Sequence, residues 1–371
     1  MNTHSRSKIL STFLFFTFFT FSANPNIPSE KAKRQNDTGQ PRNIILMIGD
    51  GMGLTQITSA MYSKKDKLNL ERFFTIGLIK THSSDNLITD SAAGATAFST
   101  GQKSFNGAIG VDENKKSVST ILEIAEKNNR ATGLVAVCSI THATPASFIA
   151  HQDSRSKDEN IALDFLATDI DVFIGGGRKF FENRSDGKNL VQLLESKNYT
   201  VLNGIENVAD RKIEKLACFT ALEHPMKMSE GRGDLLGRSA MTAISILNKK
   251  NTGFFLMIEG SQIDWGGHAK DAGYVIAEAL DFDETIGKVL DWAEKDGKTL
   301  VIVTADHETG GMAITGGKFP DQKIENSFIY GNHTAALVPV FAYGPGAENF
   351  SGIYQNTDIF YKMLSSFGFS K

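Results

Sequence analysis

Several things are scarce in this chain of 371 residues. It has two cysteines, Cys138 and Cys218, so a disulfide framework is absent and a buried core must carry stability alone. No apolar run approaches the roughly 20 residues that a membrane-spanning helix needs. The longest, Ile9 to Phe21, holds about 13 residues. Charge of one sign is also in short supply. With 39 Lys and Arg against 42 Asp and Glu the formal net charge is −3, which excludes the basic face of a nucleic-acid binder. Internal repeats and low-complexity tracts are missing, and 41% hydrophobic with 22% charged residues excludes disorder, collagen and coiled coil.

What is present begins with a segment of export type. His4, Arg6 and Lys8 precede the apolar run, and Ser22 and Ala23 follow it, the pattern of a secretory signal peptide over residues 1–22 rather than of a permanent membrane anchor. Residues 23–40, rich in Asn, Pro, Ser and Lys, read as a flexible linker, and residues 41–371 as a single domain. Removing Arg6 and Lys8 with the leader would bring the net charge to 37 − 42 = −5. The expected location is periplasmic or secreted.

Strand-like runs bounded by Gly, Asp or Asn fall at residues 43–48, 76–80, 131–137, 171–174, 254–258, 299–303 and 337–343. Helical periods lie between most of them, notably over 117–128 and 271–296. This alternation predicts an α/β fold, a central mostly parallel sheet with helices on both faces.

The chemistry gathers where such a sheet places ligands, just beyond the carboxyl ends of its strands. Asp50 ends the first run between glycines, in Gly49-Asp50-Gly51-Met52-Gly53. By itself it could equally be an Asx turn or a helix cap. Glu259, Asp264 and His268 follow the run at 254–258, and Asp306 and His307 follow the one at 299–303. So many carboxylates and imidazoles outside one sheet edge predict bound cations. His333 could complete a site of two histidines and one carboxylate. Thr89-Asp90-Ser91-Ala92-Ala93 puts Ser91 at or near a helix start, where it is either a simple N-cap or a nucleophile awaiting activation. The segment 139–155 carries His142, Thr144 and Arg155. Arg155 could fork onto two phosphate oxygens or pair at the surface with Asp153 or Asp158. His151 reads as structural, Cys138 as a small buried hydrophobe, and His4, His82 and His224 have no context that assigns them.

Together these segments resemble the alkaline phosphatases: the strand ending Gly-Asp-Gly-Met-Gly, Thr-Asp-Ser-Ala-Ala, Ala-Thr-Pro-Ala with a trailing Arg, Glu-Gly-x-x-Ile-Asp, Thr-Ala-Asp-His and Gly175-Gly176-Gly177-Arg178. The matches run from about Arg42 to the C-terminus. The resemblance implies a phosphomonoester hydrolase with Ser91 as phosphorylated nucleophile and Arg155 as phosphate clamp. It implies two zinc ions per subunit, one on Asp264, His268 and His333 and the other on Asp50, Asp306 and His307. A third ion, usually magnesium and one per subunit, would take Asp50, Thr144 and Glu259. His142 and Trp265 stand where the enterobacterial form has Asp and Lys, which predicts a third site less selective for magnesium and easier release of phosphate. A sulfatase would need a Cys/Ser-x-Pro-x-Arg context that Ser91-Ala92-Ala93-Gly94 lacks. The family's homodimer is an open expectation, since only about twenty residues separate Gly311 from His333 and no long insertion for a crown domain is visible.

Overall fold

A computed structural model describes Met1 and residues 39–208, 212–318 and 322–369. The expected signal peptide and nearly all of the expected linker lie outside these residues. From residue 39 onward the described chain belongs to one compact unit.

Fourteen strands occur among the described residues: β1 Asn43–Gly49, β2 Thr75–Lys80, β3 Ala131–Ser139, β4 Val172–Gly176, β5 Thr200–Asn203, β6 Leu216–Phe219, β7 Phe254–Gly260, β8 Thr299–Thr304, β9 Glu308–Thr309, β10 Met312–Lys318, β11 Lys323–Phe328, β12 His333–Thr334, β13 Val338–Tyr343 and β14 Gly352–Gln355. Ten of them form one sheet in the order β14-β2-β13-β8-β1-β7-β3-β4-β6-β5. Only β13 runs against its neighbours. The central strands β1, β3, β7 and β8 are buried along their whole length, as the apolar runs require of strands covered on both sides.

Two groups of helices supply the cover. Helices Leu235–Leu247 and Ala272–Asp296 pack together over β3, β7 and β8, and helices Ser91–Thr100, Ile121–Lys127 and Asp358–Phe367 form the second group. The expected mostly parallel, three-layer architecture is therefore present. The helix foreseen from residue 117 starts later, at Ile121. Thr120 accepts from Glu123 N and Glu123 reaches back to Thr120 N, a reciprocal cap that sets the boundary. The long helix opens on Asp271, which accepts from Tyr274 N, and closes on the left-handed Gly297. Short strands β5, β6 and β14 and the hairpin β10–β11 were not foreseen: β5, β6 and β14 have four residues each, too few for a periodicity to register. Among the described residues no helix is long and apolar enough to cross a membrane.

Candidate metal centre and active site

Three adjacent parallel strands deliver the acidic groups to one place. The register pairs Ile48 with both Glu259 and Thr304, so β1, β7 and β8 end side by side. Asp50 is the first residue past β1, Glu259 lies in the last pair of β7, and Asp306 and His307 follow β8. Asp264 and His268 sit one turn apart on the helix Ile263–Ala269. His333 arrives through β12, which pairs antiparallel with β9 in the register His333 to Thr309. A glycine is needed at the crossing of these segments. Gly51 has φ +73°, and a Cβ there would lie 2.8 Å from Asp264 Cα and 2.7 Å from Thr309 Oγ1.

Two trios of ligands result. In the first, His268 Nε2 lies 3.3 Å from Asp264 Oδ2, His333 Nε2 lies 3.5 Å from Asp264 Oδ1, and the two Nε2 atoms are 3.1 Å apart. His268 Nδ1 contacts Gly331 O at 3.0 Å and His333 Nδ1 contacts Thr89 O at 2.8 Å. A carbonyl can only accept, so in both rings Nδ1 carries a proton and Nε2 is the nitrogen left for a second proton or for a metal. Two ring nitrogens converging on one carboxylate need positive charge between them, a proton on His268 when metal is absent or a bound cation in its place. Bonds of about 2.0–2.3 Å to a tetrahedral ion place its ligands roughly 3.3–3.8 Å from one another, close to the spacing found. In the second trio His307 Nε2 lies 3.3 Å from Asp306 Oδ2 and 3.5 Å from Asp50 Oδ1.

The imidazoles of His307 and His333 stack at 3.5 Å with 16° between planes, which sets the trios side by side. Thr309 links them: its hydroxyl donates to Asp264 Oδ1 and lies 3.2 Å from His307 Nδ1, from which it accepts. Ser91 Oγ is 3.3 Å from His307 Nε2. Ser91 is the first residue of its helix but not the cap, because Asp90 takes that role by accepting from Ala93 N at 2.9 Å. Asp90 Oδ2 also accepts from Arg155 Nη1 at 3.1 Å and from Gly107 N at 3.0 Å. The cap residue of the Ser91 helix thus positions the arginine as well.

A third group lies at the end of β3, where His142, Glu259 and Cys138 each bring a ligand atom within 4.8 Å of the others. Arg155 Nη2 is 3.3 Å from His142 Nε2. Both oxygens of Asp50, Asp306 Oδ2, Thr144 Oγ1, Glu259 Oε1 and His142 Nδ1 are buried without a hydrogen-bond partner. Each orphaned group of this kind costs about 1–3 kcal/mol, so their concentration at one spot fits a cation-binding cavity.

The titration of these groups agrees. Burial drives Asp50 well above its usual range, with the Asp306 charge adding to it, and burial followed by the Asp264 charge pushes Asp306 up to about 7. Burial also lowers His307 far below the ordinary imidazole value and takes His142 down to about 3. Asp264 is the exception. Burial opposes its ionisation, but the hydrogen bond from His268 and the nearby imidazole charges hold it below the usual carboxylate range, and the same bond raises His268 to about 9. Without cations, the cavity keeps its charge small by holding protons on Asp50 and Asp306 and off His307 and His142, while Asp264 and His268 form a neutralising pair.

The family description for alkaline phosphatase matches residues 41–328. The chain belongs to the alkaline phosphatase family. Alkaline phosphatase 3 of Bacillus subtilis (strain 168) is 33% identical over 430 aligned residues, 92% of this chain and 92% of that protein. The structure of alkaline phosphatase from the Antarctic bacterium TAB5 is 46% identical with a TM-score of 0.86, covering 90% of this chain and 99% of that one. A His-to-Asp mutant of the TAB5 enzyme with Mg bound in the M3 site superposes at a TM-score of 0.85, with the same identity and coverage. The chain is accordingly a metal-dependent phosphoric monoester hydrolase, and phosphomonoesters are its substrates.

Seven of the ten residues expected to hold metal or act in catalysis fall in the three ligand groups; Ser91 contacts His307, Arg155 contacts His142, the buried Thr144 hydroxyl has no partner, and the rings of His142 and Trp265 are 6.1 Å apart. Arg155 pairs with Asp90 rather than with Asp153 or Asp158; those two are engaged by Lys157 and by Thr141. His151 is structural, as expected, placed between Gly110 O and Glu123. Three participants went unrecognised in the sequence. Asp90 and Thr309 flank predicted site residues and could have been suspected on that ground. His224 could not: it lies on a loop, accepts from Ser139 N at 3.0 Å, and sets its ring edge-on to Trp265 at 4.9 Å. That approach depends on Gly176, where a Cβ would sit 2.2 Å from Glu223 O.

Proposed function

We propose that phosphomonoester hydrolysis proceeds through a phosphoserine at Ser91. The observation that carries this reading is the position of Ser91 Oγ, 3.3 Å from His307 Nε2 and beside a cavity whose acids and imidazoles lack partners. Asp264, His268 and His333 would hold one zinc ion, Asp50, Asp306 and His307 a second, and Asp50, Thr144 and Glu259 a third divalent ion, magnesium or another in its place. When bound, these cations would supply the positive charge that lowers the pKa of the Ser91 hydroxyl and of a water, and that offsets charge on the phosphoryl oxygens.

The residues divide the work. Ser91 Oγ attacks phosphorus as the bond to the ester oxygen breaks and the alcohol departs; a water then attacks the phosphoserine, returns Ser91 and releases phosphate. Arg155 presents its guanidinium fork to the equatorial oxygens, steadied by Asp90 at Nη1. Thr309 keeps the His307 ring oriented through Nδ1, leaving Nε2 to face Ser91. Trp265 stands in for the enterobacterial lysine and leaves the phosphate pocket one cation short, so product leaves more easily. His142 sets the preference of the third site, a role supported by the histidine replaced in the Mg-bound TAB5 mutant.

The leader-like N-terminus supports a periplasmic or secreted location. A homodimer is part of the same proposal, and sedimentation equilibrium tests it. The decisive experiment is acid quenching during turnover of an aryl phosphate followed by peptide mass analysis: phosphate is expected on Ser91 and absent from Ser91→Ala, whose kcat should fall by more than about 10³-fold. Full turnover by Ser91→Ala would end this reading.

A further inference from the structure

Cys138 lies within β3, is fully buried, and is in none of the three ion-binding sets proposed above. Its Sγ is 3.2 Å from Glu259 Oε2, an oxygen that also accepts from Ser261 Oγ at 2.7 Å, and 3.2 Å from Ser139 O. The other oxygen of Glu259, Oε1, has no partner, and neither does Thr144 Oγ1; both residues are 0% exposed. Ligand atoms of Cys138, His142 and Glu259 fall within 4.8 Å of one another. The pocket therefore offers sulfur and nitrogen as well as oxygen. Magnesium asks for six hard ligands, nearly all oxygen, whereas thiolate and imidazole suit zinc and cobalt.

We infer that Cys138 is a ligand of the third metal pocket and makes that pocket a site for a thiophilic divalent ion of the zinc or cobalt class. This rests on the third-site reading above and adds a ligand to it. On binding, the Cys138 S–H bond breaks, the proton passes to solvent and a sulfur–metal bond forms, with no change of oxidation state. Glu259 Oε2, freed of the thiol hydrogen, keeps its bond from Ser261, so the carboxylate stays anchored while Oε1 faces the ion.

The test is cobalt titration of the full chain after chelator treatment, reading the near-ultraviolet sulfur-to-cobalt charge-transfer band, metal per chain and protons released. The wild type and a Cys218→Ser control should develop the band with the third equivalent. Cys138→Ser should lose the band, release one proton fewer at that step and hold the third ion about tenfold or more weakly, a change of roughly 1.4 kcal/mol. Cys138→Ala should behave likewise, which guards against a folding defect in one variant. Uptake of a third cobalt by the wild type without a sulfur band would overturn the role of Cys138 and leave the third site standing. Failure of the wild type to take up a third equivalent, with Glu259→Gln indistinguishable from it, would overturn both.

Discussion

Thr309→Val separates the metal centre from the rest of the fold with almost no change of volume. The threonine hydroxyl donates to Asp264 Oδ1 and accepts from His307 Nδ1 at 3.2 Å, one group in each of the two trios, in a fully buried position. A hydrogen bond to a charged group is worth about 1.5–3 kcal/mol net, and a neutral one about 1 kcal/mol. Part of the first is regained when a bound cation takes over the Asp264 charge. A loss of about 2 kcal/mol in metal binding remains, or roughly 30-fold in affinity, within the 10–100-fold range for partners that orient metal ligands. Competition with a chromophoric chelator measures it directly. Saturating zinc should restore most of the turnover, because no atom that touches substrate is removed, and Thr309→Ser should retain near-native affinity. Wild-type zinc affinity in Thr309→Val would refute the claim that this hydroxyl couples the two trios.

The remaining predictions concern backbone, charge and pH. Gly51→Ala places a methyl 2.8 Å from Asp264 Cα at a left-handed φ, which should cost at least about 1–3 kcal/mol; thermal denaturation and zinc content should both fall, and an unchanged melting temperature would count against the close approach. If the proposed role of Trp265 holds, Trp265→Lys would add a cation beside the phosphate and should lower the inhibition constant for inorganic phosphate on the order of tenfold; no change in product inhibition speaks against that role. Metal-free protein should lose stability as pH rises. The Asp306 carboxyl is raised to about 7 in the folded state, so its contribution declines from the unfolded value of 3.8 up to about 7, and His268, raised to about 9, loses its contribution between 6.5 and about 9. The lowered imidazoles of His307 and His142 work the other way, but only up to about the unfolded value of 6.5, so calorimetry of chelator-treated protein should give a lower melting temperature at pH 9 than at pH 7.5, with the gap closing once zinc replaces the protons. A higher melting temperature at pH 9 would reverse the sign of the argument.

Much of this centre was legible in the sequence because local chemistry marked it. Asp50, Glu259 and Asp306 each follow an unbroken apolar run, and a run buried on both sides of a parallel sheet has to end where ligands gather. Asp264 and His268 are spaced four apart, one helical turn, so their convergence follows from secondary structure alone. The reciprocal cap at Thr120 is local too, yet the helical pattern reads from residue 117 and the structure moves its start to Ile121; the left-handed glycine after Asp296 closes the long helix at the residue foreseen.

The tertiary structure decided what depends on contact between distant segments. That Asp90 caps the helix of Ser91 and also holds Arg155, 65 residues away, cannot be read from either neighbourhood, since an Asp before a Ser is an ordinary cap. The threonine at 309 becomes a bridge only because β9 and β12 pair and bring His333 against His307. His224 and Cys138 acquired partners in the same way, one through a loop that approaches over Gly176 and the other through the parallel pairing of β3 with β7. Periodicity and turn chemistry are set by residues within a few positions of one another, and they determined the elements and where their ends would collect functional groups. Which oxygen, nitrogen or sulfur ends within 3 to 4 Å of which other depends on strand order, register and the close approaches that glycines permit, and these exist only once the sheet has closed its core.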